Sequence, residues 1–178
     1  MLTPRQTVPA LQLPTVAHGA FDLSAETPDF ATLVVFYRGL HCPICATYLK
    51  ELVRLQSELD NRGVNVIAVS SDGKDRAAEM AEKIGATDLR VAYDLPLSVA
   101  RDWGLYTSAG RGKTSIGLEE PELFSEPGVF LVRANGELYF ASVQTMPFVR
   151  PHFQEMLGAL DFVQKADYPG RGEYTGEV

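Results

Sequence analysis

Leu33-Val34-Val35-Phe36-Tyr37, Arg38-Gly39-Leu40-His41, Cys42-Pro43-Ile44-Cys45, and then the stretch from Ala46 to Asp60 run without a break. The first block is apolar and rich in β-branched and aromatic residues, as a strand buried on both faces requires. From Cys45 the apolar residues Leu49, Leu52, Leu55 and Leu59 recur at helical spacing. Strand, short loop, Cys-x-x-Cys and helix form the layout of a dithiol redox site. A thiol at a helix N-terminus meets unpaired backbone N–H groups and the positive end of the helix dipole. Both favour the thiolate, which is the reactive form. Cys42 and Cys45 are the two cysteines of the chain, and their spacing brings one sulfur within reach of the other.

The pattern extends on both sides. Residues 1–29 are proline-rich and read as an N-terminal extension with short strands near Ala10–Leu13 and Ala20–Leu23. Val64–Ser70 reads as a second buried strand. Ser71-Asp72-Gly73 then caps a helix over about Lys74–Ile84, stopped at Gly85. A short strand at Leu89–Ala92 and a short helix at Leu97–Trp103 follow. Residues 105–126 read as a long loop. Val129–Val132 and Leu138–Ser142 flank Asn135-Gly136, a hairpin signal. Val149–Val163 reads as a last helix with Pro151 in its first turn, before a polar tail over 165–178. This order predicts an α/β fold, a central mixed sheet with helices on both faces, in one domain spanning residues 1–178. The dithiol falls at the C-terminal end of a central strand, where open α/β sheets place their chemistry.

Composition narrows the function classes. With 178 residues, a net charge of −7 and 46% hydrophobic residues, the chain has material for one core. Its charge sign disfavours nucleic acid and anionic membranes as partners. No apolar stretch approaches the roughly 20 residues that span a bilayer. Two cysteines do not make a disulfide-stapled secreted domain, and the N-terminus lacks a signal-peptide pattern, so a cytoplasmic location is expected. Zinc needs about four ligands. His41 is near the cysteines while His18 and His152 are distant, so no metal or cofactor is expected short of a metal shared across a homodimer. Gly110-Arg111-Gly112-Lys113-Thr114 fails as a phosphate loop because Thr107 stands where its first glycine belongs.

Phe36-Tyr37-Arg38-Gly39-Leu40-His41-Cys42-Pro43-Ile44-Cys45, followed in order by Val69-Ser70-Ser71-Asp72, Ala92-Tyr93-Asp94, Trp103-Gly104 and the late hairpin, resembles the thioredoxin fold. More narrowly it resembles the peroxiredoxin-like branch of the alkyl hydroperoxide reductase/thiol-specific antioxidant family, over roughly Leu11 to Val163. Laid on the peroxiredoxin pattern, the active-site proline falls on Arg38, the threonine on Cys42 and the peroxidatic cysteine on Cys45. The later arginine of that family falls near Pro127, so the resemblance implies that the hydroxyl donor and the guanidinium are both missing and that the peroxidase is slow. Laid on the thioredoxin pattern, His41 takes the tryptophan position, Cys42 is the nucleophile and Pro127 is the cis-proline facing the dithiol. The buried acid of thioredoxins falls on an apolar residue of Leu33–Phe36.

The expected activity is that of a thiol–disulfide oxidoreductase, with Cys42 attacking, Cys45 resolving, and Arg38, His41 and Pro127 in support. The alternative is a thiol-dependent peroxidase with Cys45 or Cys42 peroxidatic. A further alternative, from a different class, is a redox sensor that does not turn over. Substrates would be peroxides or small-molecule or protein disulfides. The resemblance implies recycling by a reduced thioredoxin, a glutaredoxin or a small thiol. Trp103 reads as core, while Arg150 and His152 could face a partner, with nothing in one sequence to show it.

Overall fold

The computed structural model describes residues 2–178. The core is a five-stranded sheet in the order β5-β4-β3-β8-β9. Its strands are β3 (Ala31–Phe36), β4 (Val64–Val69), β5 (Arg90–Ala92), β8 (Gly128–Arg133) and β9 (Leu138–Val143). β3 pairs in parallel with β4, with Ala31 opposite Val64 and Phe36 opposite Val69, and β4 in parallel with β5. β8 runs antiparallel to β3, and β9 antiparallel to β8. The sheet is therefore mixed, as expected. Two short strands, β1 (Gln12–Pro14) and β2 (Ala20–Asp22), pair outside it.

β3 is buried along its whole length, and its alternate residues feed two cores. Leu33, Val35 and Tyr37 pack with α1 (Pro43–Asp60), α2 (Lys74–Ile84) and α4 (Phe153–Ala166). Val34 and Phe36 pack on the other face with Leu11, Leu13 and Phe21 of the N-terminal segment and with Trp103 after the short helix α3 (Leu97–Asp102). Trp103 is fully enclosed, with its ring 5.3 Å from Phe36 and 5.1 Å from Phe130. The N-terminal extension thus supplies much of the second layer, because α3 is too short to cover that face.

α1 begins at Pro43, since proline suits the first helical position, and Cys42 stands at its N-terminus as the sequence predicts. Other boundaries differ from the sequence reading. The stretch expected as a loop over 105–126 contains an antiparallel pair, β6 (Thr107–Ala109) with β7 (Leu123–Ser125). Much of it is exposed and polar, so it carries no alternating apolar signal. The last helix begins at Phe153, with His152 as its N-cap. Pro151 therefore precedes the helix, and residues 149–151 are free to run past the redox site. The Glu126–Pro127 bond is trans, as is every peptide bond among the described residues. Glu126 and Pro127 join β7 of the two-stranded pair to β8 of the main sheet: Glu126 N–H donates to Tyr106 O at 2.7 Å, and Pro127 O accepts Gln144 N–H at 3.0 Å.

The redox loop is anchored from the neighbouring strand. Tyr37 N–H donates to Val69 O at 2.9 Å, which carries the β3–β4 ladder one residue further. The chain then turns at Gly39, whose φ is +136°. A Cβ there would lie 2.7 Å from the Asp72 carboxylate. That carboxylate is buried and held by two partners, so it has nowhere to retreat. Gly39→Ala is expected to lower stability by about 2–3 kcal/mol through backbone strain and the clash, read as a fall in the urea midpoint. An unchanged midpoint would show that the turn relaxes freely.

Candidate active site

Cys42 is the N-cap of α1. Its backbone is extended, at φ −100° and ψ 103°, and its Sγ accepts the Cys45 N–H at 3.3 Å. Cys42 N–H donates back to Gly39 O at 3.1 Å. The sulfur therefore stands where a Ser or Asp oxygen caps other helices, against the orphan amides of the first turn. Cys45 lies three residues further along, within that turn. Both cysteines are free thiols; Cys42 is 2% exposed and Cys45 is fully buried.

Arg150, from the segment between β9 and α4, reaches back to this turn. Its Nη2 donates to Cys45 Sγ at 3.1 Å, and its guanidinium lies 5.0 Å over the Tyr48 ring. Tyr48 fixes the segment in turn, donating from its hydroxyl to Pro151 O at 2.6 Å and stacking on Phe153 at 4.3 Å. Nε and Nη1 of Arg150 are buried and have no hydrogen-bond partner among the described residues. A groove of about 410 Å³ opens beside it, walled by Ile44, Tyr48, Phe148 and Val149.

These contacts split the two thiols. Cys42 is pulled down to about 6, first by the hydrogen bond from the Cys45 thiol, then by the Cys45 backbone N–H and the charges of Arg150 and Arg38; burial opposes them. Cys45 is pushed well above the ordinary thiol range, first by burial and then by its hydrogen bond and charge interaction with Cys42. Arg150 works against that rise but does not reverse it. The pair thus holds one proton near neutrality, on Cys45, and one negative charge, on Cys42.

The supporting residues are placed differently from expectation. Arg38 forms ion pairs at 3.4 Å with both Glu120 and Glu126 and lies 4.7 Å over the Phe124 ring. Its effect on Cys42 is therefore the smallest of those named. His41 is fully enclosed rather than an exposed loop side chain. Its Nδ1 lies 3.4 Å from Arg76 Nη2, and its ring meets Phe124 at 4.7 Å. Since guanidinium only donates, Nδ1 is the accepting nitrogen and the imidazole is neutral. Burial, helped by the Arg38 and Arg76 charges, lowers its pKa to about 4. Pro127 is buried at the start of β8 in the trans form, so the thioredoxin-type role expected of it is not carried over.

Sequence reasoning missed Arg150. It placed the second guanidinium near Pro127 and found none there. Nothing in linear spacing ties position 150 to position 45. The available signal was a lone arginine immediately before a proline at a helix start.

The AhpC/TSA family model matches residues 4–141, which include both cysteines and the four longest strands almost entire. The chain belongs to the AhpC/TSA family. It is a thiol-dependent oxidoreductase with the thioredoxin-like fold. No curated protein matches its sequence. Among solved structures, it is similar to the peroxidoxin BcpB of Mycobacterium tuberculosis, at 19% identity over 92% of this chain and 99% of that one, with a TM-score of 0.71. AhpC of the same organism matches at 19% identity, 94% and 96% coverage, and a TM-score of 0.73. A putative thiol:disulfide interchange protein DsbE from Chlorobium tepidum matches at 21% identity, 92% and 98% coverage, and a TM-score of 0.66. At these identities the likeness is one of fold. This AhpC/TSA chain differs from the peroxiredoxin motif as read above, with a cysteine in the threonine position and a guanidinium arriving from beyond β9.

The alkylation rate of Cys42 is expected to titrate with a midpoint near pH 6, while Cys45 stays unlabelled until alkaline pH. Arg150→Met removes a cation that favours the thiolate, so the Cys42 midpoint moves upward; a downward or absent shift would show that the guanidinium does not act on it. His41 gives a second pH dependence. The unfolded chain protonates this histidine near 6.5 and the folded chain near 4. Between those values the unfolded state binds more protons, so stability falls as pH drops from about 6.5 to about 4 and the effect ends below that. At about 1.36 kcal/mol per unit the loss is at most about 3 kcal/mol. His41→Phe should flatten that part of the profile in urea unfolding at pH values across the window.

Proposed function

We propose that the protein is a dithiol peroxidase in which Cys42 attacks and Cys45 resolves. The observation that carries this reading is an acidic thiolate that is 2% exposed, under the influence of two guanidiniums. An enclosed nucleophile favours an oxidant of a few atoms over a disulfide on a folded protein. The Cys42 thiolate displaces on the near oxygen of a hydroperoxide. The O–O bond breaks, the departing oxygen takes a proton as water or an alcohol, and Cys42 becomes a sulfenic acid. Cys45 sulfur then attacks Cys42 sulfur, water leaves, and the disulfide forms. Two thiol equivalents restore the pair by exchange. A reduced thioredoxin, a glutaredoxin or a small thiol in a cytoplasmic setting fits that step.

This ordering reverses the one drawn from sequence alone, and Arg150 is the reason. The case against a peroxidase rested on a missing hydroxyl donor and a missing guanidinium; Arg150 brings a guanidinium to the dithiol, 3.1 Å from Cys45 Sγ. Preorganised donors of this kind commonly contribute about 10²–10³ in rate. Disulfide exchange is the second reading, favoured by the N-cap position of Cys42, which stabilises a thiolate as nucleophile and as leaving group alike.

Stopped-flow oxidation of reduced protein by hydrogen peroxide and by a model disulfide separates the two. Wild type should react faster with peroxide, Cys42→Ser with neither, and Cys45→Ser should halt at a sulfenic acid trapped by a dione reagent. Faster reaction with the disulfide would restore the second reading. Retained peroxide reactivity in Cys42→Ser would move the attack to Cys45.

A further inference from the structure

Arg150 touches the resolving sulfur, not the attacking one. Its Nη2 donates to Cys45 Sγ at 3.1 Å, and this is its one hydrogen bond among the described residues. Its pull on Cys42 comes through charge and ranks behind the two hydrogen bonds from Cys45. Two hydrogen bonds tie residues 145–151 to the rest of the described chain, this one and that from the Tyr48 hydroxyl to Pro151 O at 2.6 Å. Tyr48 lies one helical turn beyond Cys45 on α1, and the guanidinium sits 5.0 Å over its ring. The tyrosine thus holds both the backbone beside Arg150 and the cation itself.

Cys45 needs such a partner at one moment of the cycle. Its attack on Cys42 requires the thiolate. In the reduced protein its proton is held first by burial, then by the hydrogen bond and charge interaction with Cys42. The ionisable groups that bear on Cys45 are Cys42, Arg150 and Tyr37, whose enclosed hydroxyl stays protonated through burial. Once oxidised, Cys42 carries no charge. Two of the three effects that hold the proton on Cys45 then vanish, and the cation of Arg150 remains.

We infer that Arg150 is a catalytic residue of the resolving step, stabilising the Cys45 thiolate as it forms, and that Tyr48 is the positioning residue that holds it there. The Cys45 thiolate attacks Cys42 Sγ, the bond between the two sulfurs forms, and the bond from Cys42 to its oxygen or foreign sulfur breaks. The departing group takes the electron pair. It leaves as hydroxide, which gathers the proton given up by Cys45 to become water, or as a thiolate, with that proton passing to solvent. The inference rests on the reading of Cys42 as the attacking sulfur and Cys45 as the resolving one. It applies to either oxidant, since both leave the same step to Cys45.

The test starts from full-length protein whose Cys42 has been capped, at about pH 4, as a mixed disulfide with a coloured aromatic thiol; Cys45 is protonated there. A jump to higher pH releases the aromatic thiolate as Cys45 attacks. Because Cys42 is already capped, its own acidity does not enter the rate. Near neutral pH, Arg150→Met should slow release about ten- to a hundredfold, the range for a hydrogen bond to a charged group. Tyr48→Phe keeps the ring and loses the tie to Pro151, and should slow release about three- to tenfold. Added to Arg150→Met, it should cost nothing further. Arg150→Lys keeps a cation and should recover part of the rate, with a thermal melt confirming that each variant is folded. Both deficits should shrink as pH rises, because alkali ionises Cys45 without help. Deficits that stay constant with pH, an unchanged rate in either single variant, or full additivity of the two would each overturn the inference. A mixed disulfide mapped to Cys45 would overturn the order of attack on which it rests. Peroxide plays no part in the measurement, so a wild type inert to peroxide would remove the peroxidase reading while the release rates still decide this one.

Discussion

The turn that presents Cys42 is held by one buried carboxylate, that of Asp72. Its Oδ2 accepts the Leu40 N–H at 2.7 Å, and its Oδ1 accepts Arg76 Nε at 3.0 Å. Burial raises its pKa, against the pull of those two partners. The carboxylate also fills the space a side chain at Gly39 would need. From Leu40 the constraint passes through the Gly39 carbonyl to Cys42 N–H, and so to the N-cap geometry of α1. Arg76, held by the same carboxylate, meets His41 and the Glu119 carbonyl. Through Arg76 this carboxylate ties α2 and the redox loop to the stretch between β6 and β7.

This arrangement also answers a gap in the thioredoxin comparison. The buried acid of that pattern has no counterpart in β3, where every residue is buried and none is acidic. Asp72 is a buried acid at the end of the neighbouring strand instead, and it binds backbone rather than serving the dithiol directly. The enclosed Tyr37 hydroxyl lies within the electrostatic reach of both Asp72 and Cys45, and burial lifts its pKa out of the ordinary range. Burial and the neighbouring Cys42 sulfur together hold the proton on Cys45, against the pull of Arg150.

Much of the framework was legible in the chain. The apolar run Leu33–Phe36 dictated a central strand, Cys-Pro-Ile-Cys dictated a helix-capping thiol, and Asn135-Gly136 marked the β8–β9 turn that forms. Those signals are local, because period, cap and turn chemistry act within a few residues. What stayed hidden was carried by contacts between distant segments. Arg150 and Cys45 are 105 positions apart, and Arg38 and Glu120 are 82 apart. The β6–β7 pair escaped notice because its strands are three residues each and Phe124 is their one enclosed apolar side chain, too little for hydrophobic alternation to register. Pro127 was assigned by alignment to a fold relative, and its peptide bond is trans.

The splitting of the two thiols reaches beyond reactivity to driving force. Near neutral pH a thiol pulled below the ordinary range carries more thiolate than an unperturbed one. That ionisation lowers the free energy of the reduced state and leaves the disulfide untouched, which raises the potential of the couple. The helix cap therefore makes the oxidised protein a somewhat keener electron acceptor than an unperturbed dithiol would be. The advantage shrinks as pH falls from the ordinary thiol range toward the lowered pKa of Cys42, where little of it is left, so acidification brings the couple back toward an ordinary one.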